Sequence, residues 1–297
     1  EMLTLNDRIH LSVLWTVDGL AIMANIFLII AIILKTPKAL ASYSLLLLNN
    51  ALLDLASATS SAKGAVRVVQ DHPNFSMIFV FIGPCSIIDE HLCRMCLALH
   101  GHLVQLSTII LFLSFGYRLY ILGDIFPMRT LTPIHIVLSI LLITPQTMEY
   151  YVEQADVSTE SVLLLNLSNY TASTSSIIGS TRAIFLNGSF VFLSPVVMTS
   201  IFIVRRKLLK KMAISALTYQ SLLPVGMGVA VSLWLCDVIQ LWSSEFLERF
   251  VMIAASVFSL ASPLINFLVL PPYRAVLPFS KKTKPTTQLM DFTSVTI

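Results

Sequence analysis

The sequence predicts an all-α membrane protein, a bundle of seven transmembrane helices with the N-terminus outside and the C-terminus in the cytoplasm. Three observations predict it. The 297-residue chain is 56% hydrophobic and only 12% charged, with a mean hydropathy of +0.83. That is too little charge to cover a soluble protein of this length. Apolar stretches of about 20 residues recur from end to end, each long enough to cross a hydrocarbon core of roughly 30 Å as a helix. Basic residues, finally, gather in alternate connections. The short alternating segments of a membrane barrel are absent from the sequence.

The spans follow in order. Span 1 covers 11–34. It has no basic leader and no small-residue cleavage site, so it reads as a retained helix rather than a signal peptide. Span 2, 43–66, holds Asn49, Asn50 and Asp54. Span 3, 89–116, enters beside Cys85 and Cys93, carries His100 and His102, and leaves through Tyr117 and Arg118. Spans 4 and 5 cover 133–152 and 184–204. Span 6, 214–242, carries Trp234 and Asp237, and span 7 covers 249–270. Pro145, Pro195, Pro224 and Pro263 fall inside spans; each removes a backbone donor and allows a kink. The whole chain, 1–297, reads as one domain. The connection 153–183, rich in Ser, Thr and Asn, reads as a flexible cap, and the tail from about 279 as polar and disordered.

Charge sets the orientation. Lys35 and Lys38 follow span 1, Arg118 and Arg129 follow span 3, and Arg205, Arg206, Lys207, Lys210 and Lys211 follow span 5. Arg274, Lys281, Lys282 and Lys284 follow span 7, whereas the connection after span 4 carries Glu153, Asp156 and Glu160. Basic loops stay cytoplasmic, and the same residues suit contact with anionic membrane lipid. Glycosylation sequons begin at Asn74, Asn166 and Asn169, all in connections that the charge rule places outside. An outside disulfide between Cys85 and Cys93 is open to a chain in this orientation.

Polar residues inside hydrocarbon cost about 2.5–3.5 kcal/mol when ionisable, so each asks for a reason. Asn25 in span 1 and Asp54 in span 2 lie at similar depth and predict an intramembrane polar switch, a water or cation site, or a clasp between helices. Asp237 stands higher than Asp54 by roughly 13 Å, which argues against a paired-aspartate protease. His100 and His102 are two apart and point to different faces, and no metal-ligand spacing occurs. No enzyme, metal, cofactor or nucleic acid is expected. His100, Trp234 and Asp237 are candidate ligand contacts.

GPC at 83–85, Cys93 and LALHGHLVQLSTIILFLSFGYRLYIL at 97–122 carry a resemblance, joined by SYSLLLLNNALLDLASATSS at 42–61 and SPLINFLVLPPYR at 262–274. Together they resemble the nematode serpentine chemoreceptors, most nearly class delta (Srd), with class r (Str) as a neighbour. These are G-protein-coupled receptors, and the resemblance implies a plasma-membrane protein of sensory-neuron cilia with a small odorant- or pheromone-like ligand and a heterotrimeric G protein as partners. By likeness to rhodopsin-like receptors, His100 faces ligand, with Val104 and Gln105 one turn deeper. Arg118, with Tyr117 in place of the usual acid, faces the G protein, together with Arg205, Arg206, Lys210 and Arg274. The chain departs from that wider pattern: 153–183 has no cysteine, span 6 has no CWxP, and span 7 has Ser262-Pro263 and then Asn266 where NPxxY would place tyrosine. A small multi-span transporter is the rival reading, though inverted halves are not visible in the sequence.

Overall fold

The computed structural model describes residues 3–36, 41–71, 76–122, 154–176, 213–242 and 244–274. Five long helices among them fall on predicted spans 1, 2, 3, 6 and 7. They are α1 (Leu5–Lys35), α2 (Ala41–Gly64), α4 (Glu90–Leu122), α6 (Ala213–Val238) and α7 (Glu245–Val269). Spans 4 and 5 lie outside the described residues. Among the described residues, two helical stretches, Leu5–Lys35 and Glu245–Leu268, are long and apolar enough to cross a membrane.

Local chemistry sets the helix ends. Thr4 caps α1: its hydroxyl oxygen accepts from the Asp7 amide, and its hydroxyl donates to the Asp7 carboxylate at 2.8 Å. Ser244 caps α7 through the Phe246 amide, with Glu245 and Glu248 in the first turn, where the helix dipole favours negative charge. Span 6 ends earlier than predicted because Asp237 turns the chain: its carboxylate accepts from the Ser244 amide at 3.0 Å. After α7 a short helix, α8 (Pro271–Arg274), folds back. It buries Tyr273 with Leu28, Ala31, Ile32, Leu47 and Phe267.

α2 sits against α1, α4 and α7, while α1 also packs on α7 and α6 on α7. The burial is inverted relative to a water-soluble bundle. α1 buries Asp7, His10, Asp18 and Asn25 but exposes Ile9, Leu20, Met23, Phe27, Ile30 and Ile33. A helix in water hides its apolar stripe; this one hides its polar stripe and offers hydrocarbon to its surroundings, as a lipid-facing helix must.

The expectation of helix alone is corrected by a four-stranded antiparallel sheet at one end of the bundle. Its strands are β1 (Val66–Asp71), β2 (Ser76–Phe81), β3 (Ala155–Asp156) and β4 (Thr171–Ser176), in the order β1-β2-β4-β3. Val66 pairs with Phe81 and Asp71 with Ser76, while Phe81 also pairs with Thr171. β2 is one of the two inner strands and is covered on both faces. Met77, Phe79 and Phe81 pack with Leu97, Val231 and Trp234; Ile78 and Val80 pack with Leu14, Ala65 and Leu167. That doubly buried strand reads as a continuous apolar run, without the alternation that marks a half-buried strand.

The flexible cap is corrected as well. In its described part, 154–176, β3, α5 (Thr159–Leu164) and β4 are tied to the rest of the molecule. Ser158 caps α5, the Ser161 hydroxyl donates to Asp71 at 2.8 Å, and Arg94 of α4 pairs with Asp156. Between β2 and α4, α3 (Cys85–Ile88) is stapled to α4 by a Cys85–Cys93 disulfide.

Candidate functional site

A polar column runs through the middle of the bundle between α1, α2, α4 and α7. It is built from helical spacing. Asn50, Asp54, Ser57 and Ser61 recur at three- and four-residue steps along α2, and Ser256, Ser259, Ser262 and Asn266 do so along α7, so each set forms one stripe. All eight are buried.

The column is layered. Nearest the sheet, the Ser61 and Ser256 hydroxyls lie 3.0 Å apart beside the fully buried Asp18. One turn on, His100 Nδ1 lies 3.0 Å from the Ser57 hydroxyl and 3.1 Å from the Ser57 carbonyl oxygen. In the same region Asn25 donates to the Ser259 carbonyl at 3.1 Å. Deeper still, Asn50 donates to the Asp54 carboxylate at 2.9 Å and lies 3.0 Å from the Ser262 hydroxyl oxygen as donor. Ser107 of α4 donates to the other Asp54 oxygen at 2.6 Å and lies 3.1 Å from Asn50 Oδ1. Asn25 and Asp54 are thus parts of one column, joined through α7 rather than to each other.

At the sheet end a second constellation closes the bundle. Asp7 is fully buried and lies 3.0 Å from the Arg249 guanidinium and 3.2 Å from that of Arg67. Tyr170 donates its hydroxyl to the same carboxylate at 2.8 Å, and Arg67 lies over the Tyr170 ring at 5.3 Å. Burial and the neighbouring carboxylate raise the Tyr170 phenol above its ordinary pKa, so it remains a donor at neutral pH. This clasp ties α1, β1, α7 and the 154–176 segment together.

The candidate ligand contacts lie between the clasp and the depth of Asp54. Val104 packs with Met227, Ala255 and Phe258, facing α6 and α7. Trp234 lies in the apolar layer beneath the sheet with Cys93 and Leu97. Asp237 is enlisted in the α6–α7 turn through one oxygen. Among the described residues, His100 Nε2, Gln105 Oε1, Trp234 Nε1 and Asp237 Oδ2 are buried without a hydrogen-bond partner.

Tyr117 and Arg118 occupy the last turns of α4, but their side chains lie outside the described residues, as do Arg205, Arg206, Lys210 and Asn74. Arg274 is exposed on α8. Asn166, in a left-handed turn at φ 53°, and Asn169 are both exposed. Sequence reasoning passed over Asp7, Asp18, Ser107 and the α7 serine stripe. The signal for the stripe was its spacing, hidden because serine is unremarkable in a membrane helix.

Comparison with known proteins decides the family. The family described as "Serpentine type 7TM GPCR chemoreceptor Srd" matches residues 11–277. The chain belongs to this Srd family. Its membership makes the Srd chain a multi-pass plasma-membrane receptor with a seven-helix architecture and a chemosensory role. The Srd chain is similar to serpentine receptor class delta-3 of Caenorhabditis elegans, 28% identical over 91% of this chain and 87% of that protein. It is also similar to serpentine receptor class delta-18 of the same organism, 26% identical over 88% of this chain and 85% of that protein. Serpentine receptor class delta-1 is 34% identical over a shorter stretch, 39% of this chain and 30% of that protein.

Proposed function

We propose that this Srd receptor binds a small odorant- or pheromone-like molecule entering from outside among spans 3, 5, 6 and 7, and activates a heterotrimeric G protein at its cytoplasmic end. The single observation carrying the ligand site is the set of unmet polar atoms on His100, Gln105, Trp234 and Asp237. A buried polar atom without a partner costs about 1–3 kcal/mol, a cost that a ligand complementing it removes. Val104 adds apolar wall.

The unmet atoms also say what kind of group they suit. His100 Nδ1 meets both the Ser57 hydroxyl and the Ser57 carbonyl, and Nε2 is left to the ligand, as an acceptor when Nδ1 donates to the carbonyl and as a donor when Nδ1 accepts from the hydroxyl. Gln105 Oε1 is an acceptor, while Trp234 Nε1 is a donor. A ligand carrying both a donor and an acceptor on a small apolar body meets these requirements.

Transmission runs down the column. Ser57 touches His100 and belongs to the helix that bears Asp54, and Ser259 and Ser262 of α7 reach Asn25 and Asn50. A ligand that binds one arrangement of α4 and α7 more tightly shifts the balance between two states of the bundle. Asn25 and Asp54 are the switch through which that shift passes.

The sheet and the N-terminus face outside, and the basic connections face the cytosol, where Arg205, Arg206, Lys210 and Arg274 meet anionic lipid and the G protein. Arg118, next to Tyr117, meets the C-terminal end of a G-protein helix, whose partial charge is negative. The protein works in sensory-neuron cilia. The test is a panel of volatile and pheromone-like ligands on cells expressing the chain, read by G-protein activation, with Arg118→Ala alongside. Signalling is expected to vanish in the variant while surface expression persists; ligand-evoked signalling equal to that of the parent would refute the role of Arg118.

A further inference from the structure

Asp18 lies within the bundle with its carboxylate fully buried, and neither of its oxygens completes a hydrogen bond among the described residues. Its neighbours are the Ser61 and Ser256 hydroxyls, which lie 3.0 Å from each other and close enough to interact with the carboxylate. No described cation reaches it. Arg67 and Arg249 are both held by Asp7, eleven residues away along α1, about 16 Å at the helical rise. Lys63 is exposed. Between Asp18 and the clasp lies an apolar layer. Leu14, Ala65 and Ile253 each stand one turn from Asp18, Ser61 and Ser256 on the sheet side, and they pack with Ile78 and Val80.

The side away from the sheet is different. There the column continues to Ser57, Ser259 and His100, so Asp18 is open toward polar neighbours only on the side where ligand contacts are proposed. The unmet atoms of this region are mainly acceptors: both Asp18 oxygens, Asn25 Oδ1 and Gln105 Oε1. A buried carboxylate without a counter-charge costs several kcal/mol, and an interior with surplus acceptors is completed by a species that brings positive charge and donors or open coordination positions.

We propose that Asp18, Ser61 and Ser256 form a binding site for a monovalent cation, either the ammonium group of an organic ligand or an inorganic ion. The carboxylate supplies the charge. The two hydroxyls turn their lone pairs toward the cation, giving an ammonium group three acceptors for its three N–H bonds. The site does not depend on G-protein coupling, so its test reads binding alone.

The full chain is purified into lipid nanodiscs, and its thermal unfolding is followed in the chlorides of N-methyl-D-glucamine, sodium and methylammonium. The bulky first cation is the reference. A concentration-dependent rise in Tm with sodium, with methylammonium or with both is expected, and the cation giving the larger rise identifies the source. Asp18→Asn should abolish the rise, and Ser256→Ala should weaken apparent affinity at least threefold. Equal Tm in all three salts overturns the proposal. So does a rise that survives in Asp18→Asn, or one lost in Asp54→Asn while Asp18→Asn responds like the parent. If Asp18→Asn does not fold, unchanged affinity in Ser256→Ala overturns it.

Discussion

Asn50 carries more of the interior than any size argument suggests. Its amide meets Asp54 and Ser262, and its carbonyl oxygen lies 3.1 Å from the Ser107 hydroxyl, so one side chain joins α2, α4 and α7. Asn50→Ala strands these groups in a buried interior, each at about 1–3 kcal/mol. Thermal unfolding of the nanodisc-bound receptor should therefore fall by several degrees, and Asn50→Asp should not restore it because a second carboxylate would face Asp54. Asp7 acts similarly at the clasp. Asp7→Ala leaves Arg67 and Arg249 without their shared anion, a loss of about 3–5 kcal/mol for a buried pair broken on one side. The expected readout is a lower Tm together with faster protease cleavage in 154–176, since Tyr170 loses the same anchor. A normal Tm in Asp7→Ala would show that the clasp contributes little.

At the scale of elements, the GPC stretch has a steric explanation. A Cβ on Gly83 would lie 2.5 Å from the Lys63 carbonyl oxygen and 2.7 Å from the Gly64 backbone. The turn out of β2 passes so close to the end of α2 that no side chain fits, and the Gly83 amide bonds to the Gly64 carbonyl at 3.2 Å. Pro84 then opens α3 and Cys85 staples it to α4. Gly83→Ala is expected to shift backbone and sharply reduce folded receptor, measured as monodisperse yield from detergent extraction. Replacing Cys85 and Cys93 together by serine opens a loop of eight residues separation; loop-closure entropy sets that loss at about 2–3 kcal/mol. The double variant should melt lower than the parent, and reductant should lower the parent's Tm toward it.

At the scale of the whole molecule, orientation is the testable property. An epitope at the N-terminus should label intact cells and one at the C-terminus should label only permeabilised cells. Asn166 and Asn169 are exposed on the sheet side, so replacing both with glutamine should remove a glycosidase-sensitive mobility shift. Labelling of both tags on intact cells would refute the seven-span threading.

The five described long helices were legible because twenty-residue apolar runs have few alternatives in lipid. Their paired polar residues, Asn25 and Asp54, were legible because an ionisable group in hydrocarbon stands out by cost. The sheet was not: Val66–Asp71 begins where span 2 ends, Ser76–Phe81 lies in the connection before span 3, and short apolar runs do not separate strand from helix by periodicity. Asp18 was missed because its importance lies in what surrounds it, two serines from helices distant in sequence. By itself the sequence determined the membrane class, the five helical spans that the structure describes and the family, since these follow from local hydropathy and motif. Only the tertiary structure decided which polar groups meet, which stay unmet and what covers the sheet end. Hydrogen bonding and burial depend on neighbours brought together across the bundle, and local spacing along one helix carries no information about its partners.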